Sequence, residues 1–270
     1  MNRIGKVLEC AARPWVVPFV TAGYPELAST AGLVRAMASA GADMIEIGMP
    51  FSDPLADGPT IQAASEIALA NGMTIAGVLD IVREVRAGSD LDDVPVLLMG
   101  YCNPLFRYGL ERFARDAAAA GADGLIVPDL PPEESGEYRE ACEAAGLSTV
   151  FLMAPNTPDE RVRAVDAAST HFSYCVSVTG VTGARGSVGA GTVRFLERVG
   201  RLAEKPFVVG FGVKSAEQVR ALGPYAAGVV VGSALIDVLA QAADPIAAVT
   251  DLVRELRQAT ADIEPEEAGG

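Results

Sequence analysis

A single histidine, His171, stands in the whole 270-residue chain. It opens an apolar run that reads as a strand, at the end away from any strand-end site, so its reading is structural. Without it no Ser-His-Asp triad can form at such a site. Four cysteines, at 10, 102, 142 and 175, lie too far apart for a CxxC pair. That argues against a disulfide framework or a zinc site and fits a reducing cytoplasm. No H-E-x-x-H, EF-hand or P-loop pattern occurs, so neither a metal nor ATP is expected. Apolar runs reach only strand length, well short of the roughly 20 residues of a membrane span. The start, Met1-Asn2-Arg3-Ile4-Gly5-Lys6, has no apolar core followed by a small-residue cleavage site, so no secretory signal is expected and the chain is placed in the cytoplasm. Positive charge is scarce. A net charge of -14 repels nucleic acid and anionic membranes and excludes both as partners. It also repels a phosphorylated metabolite, so affinity for one would come from local dipoles rather than from a basic surface.

Half of the residues are hydrophobic and 21% are charged, which excludes extended disorder. Eight near-continuous apolar runs read as strands covered on both faces: Val16–Val20, Met44–Ile47, Val96–Met99, Gly124–Val127, Thr149–Leu152, Phe172–Val176, Phe207–Val209 and Gly228–Val231. Helical period lies between them. Ile75, Val78, Leu79, Val82 and Val85 form one buried stripe, with Asp80, Arg83 and Glu84 facing away. Thr157-Pro158-Asp159-Glu160 and Ser215-Ala216-Glu217-Gln218 read as capping boxes. Ala40-Gly41-Ala42-Asp43 and Ala120-Gly121-Ala122-Asp123 are near-copies, echoed by Ala145-Gly146; each joins a helix end to a strand through a glycine suited to positive φ. The alternation predicts a single (β/α)8 TIM barrel over 1–260 with an extra N-terminal helix, and an acidic, disordered tail over 261–270. The competing architecture is an open doubly wound sheet. Against it, the first β-α turn, Thr21-Ala22-Gly23-Tyr24-Pro25, lacks the GxGxxG fingerprint.

Glu46 breaks the apolar run Met44-Ile45-Glu46-Ile47. Side chains alternate along a strand, so if Ile45 and Ile47 face the helices, Glu46 points into the barrel mouth. Desolvation there raises a carboxyl pKa, as a general acid/base requires. The bland reading is a Glu satisfied by a neighbouring backbone or hydroxyl group. The long loop that follows, Phe51-Ser52-Asp53-Pro54-Leu55-Ala56-Asp57-Gly58-Pro59, adds two carboxylates between prolines that restrict the chain. One is expected to be catalytic and the other structural or at an interface; both could equally make Asx turns. Glycines follow the last three runs: Gly180 to Gly186, Gly210-Phe211-Gly212, and Gly232-Ser233, where a short helix begins. Backbone N–H groups bared by glycine can hold a phosphate without positive charge. Phe19, Met99, Tyr101, Ile126, Phe172, Tyr174 and Phe211 could line a pocket for a flat aromatic ring, or simply fill the core.

Together these residues resemble the tryptophan synthase α subunit family. Pro18 to Pro25, Ile45 to Pro59 and Gly180-Val181-Thr182-Gly183 carry the resemblance, which spans about Pro18 to Ser233. It implies a lyase that cleaves indole-3-glycerol phosphate to indole and glyceraldehyde 3-phosphate, a retro-aldol reaction without Schiff base or metal. It further implies that Glu46 protonates indole C3 and takes the proton of the glycerol hydroxyl next to the ring, while Asp57 accepts the indole N–H. Thr182 would bond Asp57 as the glycine-rich loop closes, Phe19 and Tyr174 would line the site, and Gly183, Phe211, Gly212, Gly232 and Ser233 would hold the substrate and its phosphate. The family works with a β subunit as an α2β2 tetramer. By resemblance Asp53, Asn103 and Pro104 face that partner, which carries the pyridoxal phosphate; this chain carries no cofactor. Val178 departs from members that have Arg before the mobile loop.

Two other readings compete. Another phosphate-binding barrel, a sugar-phosphate isomerase or an indole-glycerol-phosphate synthase, would share the last strands. The synthase needs a lysine at a strand end, and Lys6, Lys205 and Lys214 are the only lysines, none on a predicted strand. A barrel kept mainly to activate a partner is the second, opposed by the intact pair Glu46 and Asp57.

Overall fold

The computed structural model describes residues 3–10, 14–88, 91–176, 188–210, 212–261 and 263. Its strands are β1 (Trp15–Thr21), β2 (Ile45–Gly48), β3 (Val96–Met99), β4 (Gly124–Ile126), β5 (Ser148–Val150), β6 (Leu152–Met153), β7 (Ser173–Val176), β8 (Phe207–Gly210) and β9 (Gly228–Val231). They pair in the order β5-β4-β3-β2-β1-β9-β8-β7-β6, and every ladder is parallel. The two ends of that order are halves of one segment, split only at Phe151, whose carbonyl accepts the Tyr174 N–H at 3.0 Å. The sheet therefore closes on itself: the architecture is the (β/α)8 barrel, and the fifth expected strand appears as β5 and β6.

Alternation sorts the side chains. Val16, Val20, Ile45, Ile47, Val96 and Leu98 pack outward against the helices. Trp15, Val17, Phe19, Met44, Leu97 and Met99 fill the interior. Large side chains inside are accommodated by glycine opposite. A Cβ on Gly48 would stand 2.5 Å from Phe19 Cζ, and one on Gly210 would stand 2.1 Å from Tyr174 Oη, both closer than packed atoms allow. The helix Arg3–Cys10 closes the far end, with Ile4 fully buried in the interior cluster.

The repeated Ala-Gly-Ala-Asp motif builds one device twice. Asp43 accepts the Val16 N–H of β1 at 2.8 Å and pairs with Arg257 at 3.0 Å. Asp123 accepts the Val96 N–H of β3 at 2.8 Å and pairs with Arg86 at 2.6 Å and Arg3 at 3.1 Å. Gly41 and Gly121 before them sit at φ 101° and 103°, the left-handed turn that lets the chain leave its helix.

The helix Ile75–Arg86 buries Val78, Leu79, Val82 and Val85 as its period predicts. Ser215 caps the helix Ala216–Leu222 by accepting the Gln218 N–H at 3.4 Å. The other expected box is not formed. Pro158 occupies the N-cap of the helix Asp159–Ala168, and the Thr157 hydroxyl turns back to accept the Ala154 N–H at 2.9 Å, because Thr157 lies one residue too early to reach the first turn. Of the expected tail, only Ala261 and Ile263 lie among the described residues. Ala261 still ends the helix Pro245–Ala261, and Ile263 packs where a Cβ on Gly223 would lie. Among the described residues no single helix is long and apolar enough to cross a membrane.

Candidate active site

Glu46 sits in β2 with outward-facing isoleucines on either side, so its side chain enters the barrel. It is 1% exposed, and neither carboxylate oxygen has a hydrogen-bond partner among the described residues. An unpaired ionised carboxylate is costly in such a place. Burial, and then the negative charge of Asp57, push its pKa up to about 8.

Asp57 arrives from the loop after β2. Its N–H donates to the Pro54 carbonyl at 3.0 Å, and its own carbonyl accepts Gln62 Nε2 at 2.9 Å, so the loop is folded into a turn ahead of the helix Pro59–Ala70. Burial pushes the Asp57 pKa up to about 6, against a hydrogen bond from Tyr101 that favours the charged form. Near pH 7, then, Glu46 is mainly a neutral acid and Asp57 mainly an anion. Two carboxyl groups with pKa values driven apart by their surroundings are the mark of an acid and a charge stabiliser with separate tasks.

Both carboxyl groups line one cavity of about 420 Å³, a volume suited to a small metabolite. Phe19, Met99 and Tyr174 supply apolar wall beside Glu46. Gly212, Gly232 and Ser233 line it too, with Lys214. Gly212 has φ 92°. Gly232 is the N-cap of the helix Ser233–Gln241, whose first-turn N–H groups have no partner within the helix and make a natural anion seat.

The structure thus brings together eight of the expected residues: Glu46, Asp57, Phe19, Met99, Tyr174, Gly212, Gly232 and Ser233. Thr182, Gly183 and Phe211, with Val178, lie outside the described residues. Tyr101 is not on the cavity wall but behind Asp57, and Ile126 and Phe172 belong to the interior core. His171 lies 2.8 Å from Ser148 Oγ at the opposite end of the barrel. Asp53, Asn103 and Pro104 do not line the cavity either; Asp53 and Asn103 are exposed and Pro104 is half-buried. Near them in the chain, Leu55 is 92% and Phe106 52% exposed.

Sequence reasoning missed Thr60, Ile61 and Lys214 as lining residues. A signal existed for the first two. The helix Pro59–Ala70 begins two residues after Asp57, so its first turn opens on the same mouth.

The model of the family described as "Tryptophan synthase alpha chain" matches residues 7–264. The tryptophan synthase alpha chain of Roseiflexus sp. (strain RS-1) is 51% identical over 267 residues, 95% of this chain and 100% of the relative. That of Geotalea daltonii is 48% identical over 221 residues, 82% and 83% of the two chains. Among solved structures, tryptophan synthase subunit alpha from Legionella pneumophila str. Paris superposes with a TM-score of 0.90 at 36% identity, covering 97% of this chain and 100% of that one. A chain of tryptophan synthase from M. tuberculosis superposes with a TM-score of 0.86 at 34% identity, over 96% and 99%.

Proposed function

This chain belongs to the tryptophan synthase alpha chain family, lyases that cleave indole-3-glycerol phosphate in tryptophan biosynthesis, and from that premise we propose which residues carry the reaction. The indole ring occupies the apolar middle of the cavity, between Phe19 and Tyr174, with the phosphate toward Gly212, Gly232 and Ser233. Protonated Glu46 gives its proton to indole C3, which places a positive charge on the ring nitrogen. Ionised Asp57 accepts the indole N–H and stabilises that charge. Glu46, now a carboxylate, removes the proton from the hydroxyl on the carbon next to the ring. The bond from that carbon to C3 breaks, its electrons restore the indole, and the aldehyde of glyceraldehyde 3-phosphate forms. Glu46 ends protonated, as it began. A neutral indole is a poor leaving group until C3 is protonated, so the ring must lie within reach of both an acid and an anion.

The observation that carries this assignment is that Glu46 and Asp57 share one cavity with their pKa values pushed to about 8 and about 6. Indole release from indole-3-glycerol phosphate by the purified chain tests it. Glu46→Gln is expected to abolish turnover while the fold survives; normal turnover in that variant removes Glu46 from the mechanism. Thr182, Gly183 and Phe211 are assigned to the same site on the resemblance alone.

Partner and place follow the same premise. The chain works with a β subunit, as an α2β2 complex in the cytoplasm, and the pyridoxal phosphate of that complex belongs to the partner. Asp53, Asn103 and Pro104 face the β subunit. Two exposed apolar side chains nearby in the chain, Leu55 and Phe106, support an interface there. Four unpaired cysteines suit a reducing compartment. Adding a β subunit and measuring the change in indole formation tests the pairing.

A further inference from the structure

We propose that Lys214 is a substrate-binding residue, whose ammonium group turns from Asp237 to the phosphate when substrate fills the cavity. This rests on the assignment of Gly212, Gly232 and Ser233 to the phosphate. Among the described residues on the cavity wall, Lys214 is the only cation. Its Nζ stands 3.8 Å from Asp237 Oδ2, and the two side chains are 55% and 45% exposed. That is long for a charge-assisted hydrogen bond, and an ion pair so exposed holds its partners weakly.

Asp237 is fixed more firmly than its partner. It lies on the helix Ser233–Gln241 and accepts the Thr60 hydroxyl at 3.4 Å. Lys214 has only a flexible four-carbon stem to move. Asp237 also poses a problem that Lys214 answers. A carboxylate just over one turn into a helix opposes a dianion at that helix's N-terminus, on a chain already at -14. Before substrate binds, the ammonium offsets Asp237. A phosphate monoester dianion carries about twice the charge of a carboxylate and draws the ammonium more strongly. Amides then orient the phosphate and lysine adds the attraction that a neutral cradle lacks. The site consequently discriminates the phosphorylated substrate from its dephosphorylated analogue by charge as well as by shape.

Steady-state kinetics of the full chain with indole-3-glycerol phosphate, and inorganic phosphate as competing probe, test this. Lys214→Met is expected to raise KM, and the inhibition constant for phosphate, about fivefold, with kcat within about twofold, and to flatten the salt dependence of both. Lys214→Arg should restore them. Asp237→Asn should lower KM, and by a larger factor where Lys214 is present than beside Lys214→Met, because only the former also loses the competing ion pair; a purely structural role does not produce that coupling. Unchanged KM in Lys214→Met, or a rise in KM equal at all salt concentrations, overturns the proposal. Gly212→Asp separates the two levels. If it weakens binding while Lys214→Met does not, the phosphate site stands and the role of Lys214 falls; if neither weakens binding, both fall.

Discussion

Tyr101 holds Asp57 in place: its hydroxyl hydrogen-bonds the Asp57 carboxylate and accepts the Ala56 N–H at 3.0 Å. The Phe51 ring lies against the Tyr101 ring, with centroids 5.3 Å apart, so one side chain just past β3 fixes both the loop and its acid. A hydrogen bond to the ionised form lowers a carboxyl pKa and here opposes the effect of burial. Tyr101→Phe removes it. The Asp57 pKa is expected to rise above about 6, the acid limb of the rate profile to move to higher pH, and kcat at pH 7 to fall about tenfold. A lower rate with an unmoved acid limb would assign Tyr101 to packing alone.

The rate should be bell-shaped in pH. The proposed mechanism requires Asp57 ionised, with its pKa pushed up to about 6, and Glu46 protonated at the start, with its pKa pushed up to about 8. kcat/KM should therefore climb through about pH 6 and decline through about pH 8, with its maximum near 7. Asp57→Asn removes the acid limb and lowers the plateau about 10²-fold or more. A profile measured from pH 5 to 9 checks both limbs.

Glu46 should also cost the protein stability at alkaline pH. Its pKa is higher folded, about 8, than in an unfolded chain, about 4.5, so the folded state holds a proton that the unfolded state releases. Stability from this group is fully present below about pH 4.5 and is lost as pH rises through about 8. Glu46→Gln cannot ionise and escapes that loss. The variant should match the native chain near pH 4.5 and exceed it by a few kcal/mol, as an order of magnitude, at pH 8.5. Urea unfolding at the two pH values measures the gap, and a gap independent of pH removes burial as the cause of the shift.

The barrel was legible because its alternation is covalent: Ile45 and Ile47 facing the helices force Glu46 inward, and that follows from the pattern alone. The Ala-Gly-Ala-Asp repeats were legible as turns, but the arginines that meet their aspartates were not. Arg257 is separated from Asp43 by 214 positions, and nothing local announces such a partner. The same limit hid Lys214. Its place on the cavity depends on where β8 and β9 bring two loops together, a tertiary fact. Thr157 was misread for the opposite reason: a Thr-Pro-Asp-Glu string fits a capping pattern locally, yet the helix starts one residue further on.

Gly48 has a size requirement rather than a conformational one. The Phe19 ring lies over it, and any Cβ would come within 2.5 Å of the ring edge. Gly48→Ala should destabilise the fold by about 1–3 kcal/mol, the usual cost of overpacking. It should also raise KM, because Phe19 forms cavity wall. Adding Phe19→Leu should recover stability but not KM. Thermal melts beside Michaelis curves separate the two effects; a double variant no more stable than Gly48→Ala would place the strain elsewhere.

The two repeated aspartates allow a buried arginine pair to be weighed against a more exposed one, with Arg3 a second cation at Asp123. Each accepts a strand N–H at 2.8 Å and pairs with an arginine. Their arginines differ: Arg86 is 9% exposed and Arg257 is 30% exposed. Arg86 also donates to the carbonyls of Leu91, Val94 and Gly121, and burial holds its pKa below the usual guanidinium range. Asp123→Ala strips the carboxylate from a cation that water cannot easily reach, and should cost about 3–5 kcal/mol. Asp43→Ala leaves Arg257 able to turn toward solvent, so the lost hydrogen bonds dominate and the cost should be about 1–2 kcal/mol. Urea denaturation of the two variants under identical conditions gives the comparison. Equal costs would mean that the strand N–H bonds, common to both sites, carry the energy and that the buried guanidinium contributes little.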